Sequence, residues 1–124
     1  MDKYIYRGKL ERVVDGDTID ATIDLGFDVF VKKRIRFAGI NAPESRTRDL
    51  EEKARGLAAK DRVKNILEEN INFELHSEEL GKFGRVLGRI YLNKLDGKDC
   101  LTQVCLNELL VKEKHAVEYH GGKR

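Results

Sequence analysis

Ile19-Asp20-Ala21-Thr22-Ile23-Asp24-Leu25-Gly26 alternates apolar and polar residues over seven positions and then stops at a glycine. A period of two is that of a β-strand with one buried and one wet face. Beyond Gly26, which marks a turn, Val29, Val31, Ile35 and Phe37 define the inner face of a further strand, and Lys32, Arg34 and Arg36 its outer face. Before it, Tyr4 to Asp15 reads as a strand carrying Ile5, Leu10, Val13 and Val14. Three strands on short connections predict an antiparallel meander.

The period then changes. Leu50, Ala54, Leu57 and Ala58, followed by Val63, Ile66 and Leu67, fit one helix. Asp49 with Glu52 three residues later has the form of a capping box, and Glu51 adds negative charge to the first turn. Asn70 is expected to end the helix in a left-handed conformation. A fourth strand is expected over Ile71 to His76 and a fifth over Arg85 to Asn93, with Val86, Ile90 and Leu92 inward. Asp96-Gly97 reads as a hairpin tip. Cys100, Thr102 and Val104 suit a returning strand, and Leu106 to Glu113 a short second helix. The predicted fold class is β-rich α+β: an OB-type five-stranded barrel with a helix inserted between strands 3 and 4 and a short second helix.

Composition bounds the rest. The chain has 124 residues, 40% hydrophobic and 37% charged, which predicts one domain over 1–124 with a small core. His120-Gly121-Gly122-Lys123-Arg124 is expected to be a mobile tail. Lys and Arg number 24 against 22 Asp and Glu, a net charge of +2, so a basic site must come from local arrangement. No apolar run approaches the roughly 20 residues of a membrane span. The start, Met1-Asp2-Lys3-Tyr4, has no basic-then-apolar leader, so the expectation is a cytoplasmic protein, or a secreted one whose leader has been removed. Cys100 and Cys105 have no zinc-site spacing and read as reduced thiols. His76, His115 and His120 are scattered and suggest no ligand set.

Three segments gather chemistry. Val14-Asp15-Gly16-Asp17-Thr18 is a turn between strands, and its carboxylates and hydroxyl are also hard oxygen ligands for Ca²⁺ or Mg²⁺. In Arg36-Phe37-Ala38-Gly39-Ile40-Asn41-Ala42-Pro43-Glu44 a strand runs out into an amide and a carboxylate after proline. Gly81-Lys82-Phe83-Gly84-Arg85 is a glycine turn ahead of a strand. In this order the set resembles the staphylococcal nuclease (thermonuclease) family, from about Arg12 to Tyr119. Leu106 to Val111 is similar to that family's second helix.

The resemblance implies the OB barrel and a Ca²⁺-dependent phosphodiesterase acting on DNA and RNA, with water attacking phosphorus and 3′-phosphate ends remaining. It implies Asp17 as a metal ligand, Asn41 at the position of a second, acidic ligand, Ala42 offering its backbone carbonyl and Thr18 acting through a water. Asp15 would lie just outside that shell. Glu44 would orient or deprotonate the attacking water, and Arg36 and Arg85 would hold the scissile phosphate. Lys82, Phe83 and Tyr119 would contact the nucleic acid. The implied partners are single-stranded DNA or RNA and also duplex DNA, with no membrane, bound by a monomer.

The chain departs from the family at named places. Asn41 removes one unit of negative charge, which lowers the expected Ca²⁺ affinity and leaves open a non-cutting module that grips single-stranded nucleic acid. Phe83 replaces a tyrosine and loses its hydroxyl. Lys114 stands where glycine is expected after the second helix. The short loop Ser45 to Asp49 carries Arg46 and Arg48, which read as phosphate contacts or as solvated charge. Nothing after Tyr119 can form the family's further C-terminal helix, so the core is expected to close without it or under a partner surface.

Overall fold

Strands β1 (Tyr4–Asp15), β2 (Thr18–Gly26) and β3 (Val29–Phe37) form the antiparallel meander that their alternation predicts. A computed structural model of the chain describes residues 4–80 and 85–119. The sites expected at Lys82 and Phe83 and the expected tail at 120–124 lie outside the described residues. After β3 come β4 (Ile40–Asn41), α1 (Leu50–Glu69), β5 (Asn72–Leu80), β6 (Val86–Leu95), β7 (Lys98–Cys105), α2 (Leu106–Lys112) and β8 (Val117–Glu118).

The strands close on themselves. β1 pairs with β2 on one edge and β5 on the other, β5 pairs with β6, and β6 runs parallel to β3 through Ile35↔Val86, Arg36↔Leu87 and Phe37↔Gly88. That makes a hydrogen-bonded ring of five strands, the OB-type arrangement, with α1 inserted between the third and fourth ring strands. The returning strand, β7, lies outside the ring and pairs with β6 from Tyr91 to Leu95. Asp96 and Gly97 turn between them at φ of +51° and +82°, as a two-residue hairpin requires. Two elements escape the periodicity: β4 and β8 are two residues each and pair only with one another.

Ile19, Ile35, Leu75, Ile90 and Leu92 meet inside the ring at 0% exposure, with Phe37 and Phe73 beside them. Burying each such side chain contributes about 1.5–3 kcal/mol relative to leaving it in water. The alternation fades at the far ends of β2 and β3, where Leu25 and Val29 are exposed.

Helix α1 starts as its sequence says. Asp49 accepts from the amides of Glu51 (3.0 Å) and Glu52 (3.2 Å), so the cap is made by Asp49 itself. Its packing stripe is narrower than the apolar pattern: Gly56, Ala59, Val63, Ile66 and Leu67 are buried, whereas Leu50 and Leu57 are exposed. Its end corrects the expectation for Asn70, whose φ is −130° and not left-handed. The side chain does the capping instead. Asn70 Nδ2 donates to the carbonyls of Ile66 (3.0 Å) and Lys94 (2.9 Å), and Oδ1 accepts from the amides of Asn93 and Lys94. These four bonds satisfy a buried amide and tie α1 to β6.

A second buried asparagine sets α2. Asn107, fully buried, donates to the carbonyls of Ala38 (2.8 Å) and Gly88 (3.1 Å) and accepts from the amide of Ile90 (3.1 Å). It thereby clamps the exit of β3 against β6. Past α2, Lys114 adopts the left-handed conformation (φ +65°) that would suit a glycine. Cys100 and Cys105 are free thiols. No helix among the described residues is long and apolar enough to cross a membrane.

Candidate active site

The β1–β2 turn lies against α1 because residue 16 has no side chain. A Cβ there would stand 2.6 Å from the Cβ of Ala59 and 3.1 Å from that of Ala42. The turn holds Asp17 at 7% exposure. Its Oδ2 accepts from the amide of Ala42 (2.8 Å), its Oδ1 from the Thr18 hydroxyl (2.9 Å), and its backbone carbonyl from the amide of Phe37 (2.8 Å). One residue therefore joins the β1–β2 turn to the exit of β3.

Arg36 faces Thr18 across the β2–β3 ladder. Its Nη1 lies 3.5 Å from Asp17 Oδ2 and donates to the carbonyl of Phe37 (3.0 Å), and its Nη2 donates to Asn41 Oδ1. Contacts at both ends of the guanidinium restrict its rotamers. Arg85 precedes β6, the strand whose parallel pairing with β3 puts Leu87 opposite Arg36. Ring closure thus brings the two arginines to one wall, although they come from opposite halves of the chain.

Glu44 is exposed on the loop ahead of α1. Helix residue Gly56 positions that loop, for a Cβ there would come within 2.3 Å of the Glu44 carbonyl oxygen and 2.7 Å of the Ser45 nitrogen. Asp15 is held from the same loop, its Oδ1 accepting from the Ser45 hydroxyl and amide.

Asp15, Asp17, Thr18, Arg36, Ala42, Glu44 and Arg85 line one cleft of about 280 Å³, together with Arg46. Asn41 is not part of the lining; its Oδ1 accepts from Arg36. Tyr119 is not part of the lining; its amide donates to the carbonyl of Gly39 (2.8 Å), next to the β4–β8 pair. The sequence offered no sign of what Ser45 does, whereas Gly56, a glycine inside a helical pattern, was a readable signal of close packing.

Three carboxylates and three guanidiniums thus share the lining. No group of three or more His, Cys, Asp and Glu side chains among the described residues is close enough to form a metal cage. The side-chain metal donors at the cleft are nonetheless all oxygen: carboxylates of Asp15, Asp17 and Glu44 and the Thr18 hydroxyl. That chemistry fits a hard cation that completes its shell with water.

Comparison with known proteins bears on the family of the chain. The model of the family described as staphylococcal nuclease homologue matches residues 34–123. The chain is 31% identical over 116 residues to micrococcal nuclease of Shigella flexneri, covering 92% of itself and 59% of that protein. It is 30% identical over 87 residues to protein ParB of Escherichia coli, covering 70% of itself and 42% of the relative. The chain spans about half the length of these curated relatives. With the five-stranded ring, the inserted helix and the family match over most of its length, the chain belongs to the staphylococcal nuclease homologue family.

Proposed function

We propose that this protein is a calcium-dependent phosphodiesterase that hydrolyses DNA and RNA, leaving 3′-phosphate ends. The observation that carries the reading is the convergence of Asp17, Thr18, Arg36, Ala42, Glu44 and Arg85 on one cleft. The name of the Shigella flexneri relative, a nuclease, supports it.

Each residue has a task suited to its chemistry. A phosphodiester is anionic, and its transition state concentrates charge on the equatorial oxygens. Arg36 and Arg85 donate hydrogen bonds to those oxygens, and a guanidinium can give two in parallel. Arg36, restrained by Phe37, Asn41 and Asp17, needs little reorganisation to do so. Glu44, exposed at the cleft wall, takes a proton from the attacking water, a step worth about 10²–10⁴ in rate. The new bond joins water oxygen to phosphorus; the bond to the 5′ oxygen breaks, and that oxygen is protonated from solvent. Asp17, Asn41, the Ala42 carbonyl and, through water, Thr18 would hold Ca²⁺, with Asp15 just behind. When bound, the ion supplies positive charge to the phosphate oxygens. The partner is a single strand of DNA or RNA, or duplex DNA, taken up by a monomer.

Asn41 favours a second reading, a module that binds single-stranded nucleic acid without cutting it, because its neutral amide already accepts from Arg36. Cleavage of denatured DNA, with Ca²⁺ and with chelator, beside Glu44→Ala, separates the two. Calcium-dependent product that disappears in the variant supports the nuclease. Salt-sensitive binding without product, with other divalent ions also tried, supports the module.

A further inference from the structure

Arg46 belongs to two walls. It lines the cleft beside Glu44 and Arg85, and it also lines a separate groove of about 400 Å³ between β1 and α1. That groove is basic. Arg12 from β1, Lys60 and Lys64 from α1, and Arg46 itself outnumber Glu11 and Glu68. Lys60 and Lys64, four residues apart, share one face of the helix. Arg46, Lys60 and Lys64 enter no ion pair among the described residues.

Arg12 continues the path. It pairs with Asp20 at 3.5 Å, but Arg34 holds the same carboxylate at 2.9 Å, so two guanidiniums share one negative charge. Arg12 and Asp20 also line the next depression, where Lys32, Lys33 and Arg34 stand. Over the groove and this depression seven cations face three carboxylates, a surplus of four, while the whole chain carries only +2. The rest of the chain therefore sums to about −2, and a strip that begins at the cleft carries a positive surplus.

We infer that this strip carries the phosphodiester backbone of a single strand beyond the scissile phosphate, with Arg46 at the junction. The inference rests on the reading that the cleft holds a phosphodiester. The apolar members of the groove are the aliphatic Leu10 and Val13, and its described lining has no aromatic ring. It therefore offers charge to phosphates and no platform for base stacking, which makes it indifferent to sequence. A flexible strand can turn from the cleft into the groove and on across β1–β3. The consequence is a preference for long strands over short oligonucleotides.

The test is binding of fluorescent dT20 and dT3 to the whole protein in chelator, from about 50 to 200 mM salt. In Lys60→Gln/Lys64→Gln the salt slope for dT20 becomes shallower by about 1.4, at about 0.7 per lost phosphate contact on a single strand. The affinity advantage of dT20 over dT3 shrinks several-fold. Glu68→Gln, which removes an opposing charge, tightens dT20 more than dT3 and guards against a misfolded double variant. An unchanged dT20 slope in a folded double variant, or equal changes for dT3 and dT20, overturns the inference. The failure of the nuclease reading looks different: length-dependent binding persists but no DNA is cut with calcium.

Discussion

Arg36 and Arg62 are both arginines with largely covered side chains, 16% and 21% exposed, yet the protein uses them in opposite ways. Arg62, on α1, meets two carboxylates in bidentate fashion: Glu113 at 2.7 and 2.8 Å, and Asp96 at 2.8 and 3.2 Å. The hydrogen bonds it donates to Glu113 and then to Asp96 push its pKa further above the usual arginine value. Its charge is more than matched, and it fastens α1 to the β6–β7 turn and to the end of α2. Arg36 lies 3.5 Å from one carboxylate, which also accepts from Ala42 and Thr18, and it donates to a carbonyl and to the amide of Asn41. Neutral acceptors orient a guanidinium without cancelling its charge. Arg62, bidentate to two carboxylates, is a fastener, whereas Arg36 shares its contact to Asp17 with two other donors and lines the cleft.

The contrast is broken most directly by truncating each arginine. Arg36→Ala should lower turnover of denatured DNA by about 10²–10³, the usual effect of losing a transition-state donor, while the thermal transition moves little. Arg62→Ala should do the reverse: it should cost about 1–2 kcal/mol in a urea titration and leave turnover per folded molecule unchanged. Equal losses of activity in the two variants would abolish the distinction.

Acid sharpens the second half. Arg62 holds Glu113 and Asp96 below their ordinary values of 4.5 and 3.8, chiefly through hydrogen bonds. A carboxyl depressed on folding stabilises fully above its unfolded pKa and loses that stabilisation as pH falls through the folded value. The stability gap between wild type and Arg62→Ala should therefore be full above about pH 5 and narrow steadily below about pH 4, read from urea midpoints.

Asn41→Asp should place a charge beside Arg36 and make that corner more like the one at Arg62. Calorimetric Ca²⁺ affinity should rise about tenfold, from one added unit of negative charge at the donor set. Unchanged or weaker affinity would remove Asn41 from the proposed ligands. The smallest effect is expected at Lys114→Gly, which relieves a left-handed non-glycine residue and should raise stability by about 0.5–1 kcal/mol, measured by the melting temperature.

Much of this was legible because it is local. Ile19, Ala21 and Ile23 alternate with polar neighbours and are buried as the alternation says, and Asp49 caps the helix that follows it. The cleft residues stood out as short motifs, since a turn, a strand exit and a proline need particular residues in a row. The roles of Asn70 and Asn107 were not legible. A polar residue near a helix end reads as a local cap, and only partners on distant strands show that each is a buried cross-link. Nor did the apolar positions of the first turns of α1 identify its packing face, because periodicity does not say how far the opposing surface extends.

The sequence by itself determined the meander, the inserted helix and the hairpin tip at Asp96-Gly97, because periods of 2 and 3.6 and turn chemistry act over a few neighbours; the residues expected at the cleft came from the resemblance of its short motifs to a known family. Tertiary structure alone decided that β6 closes the ring on β3, that Arg85 thereby joins Arg36, and that Arg12, Arg46, Lys60 and Lys64 border one groove. Those outcomes depend on hydrogen bonds and packing between segments far apart in the chain, and no local pattern encodes which distant edges will meet.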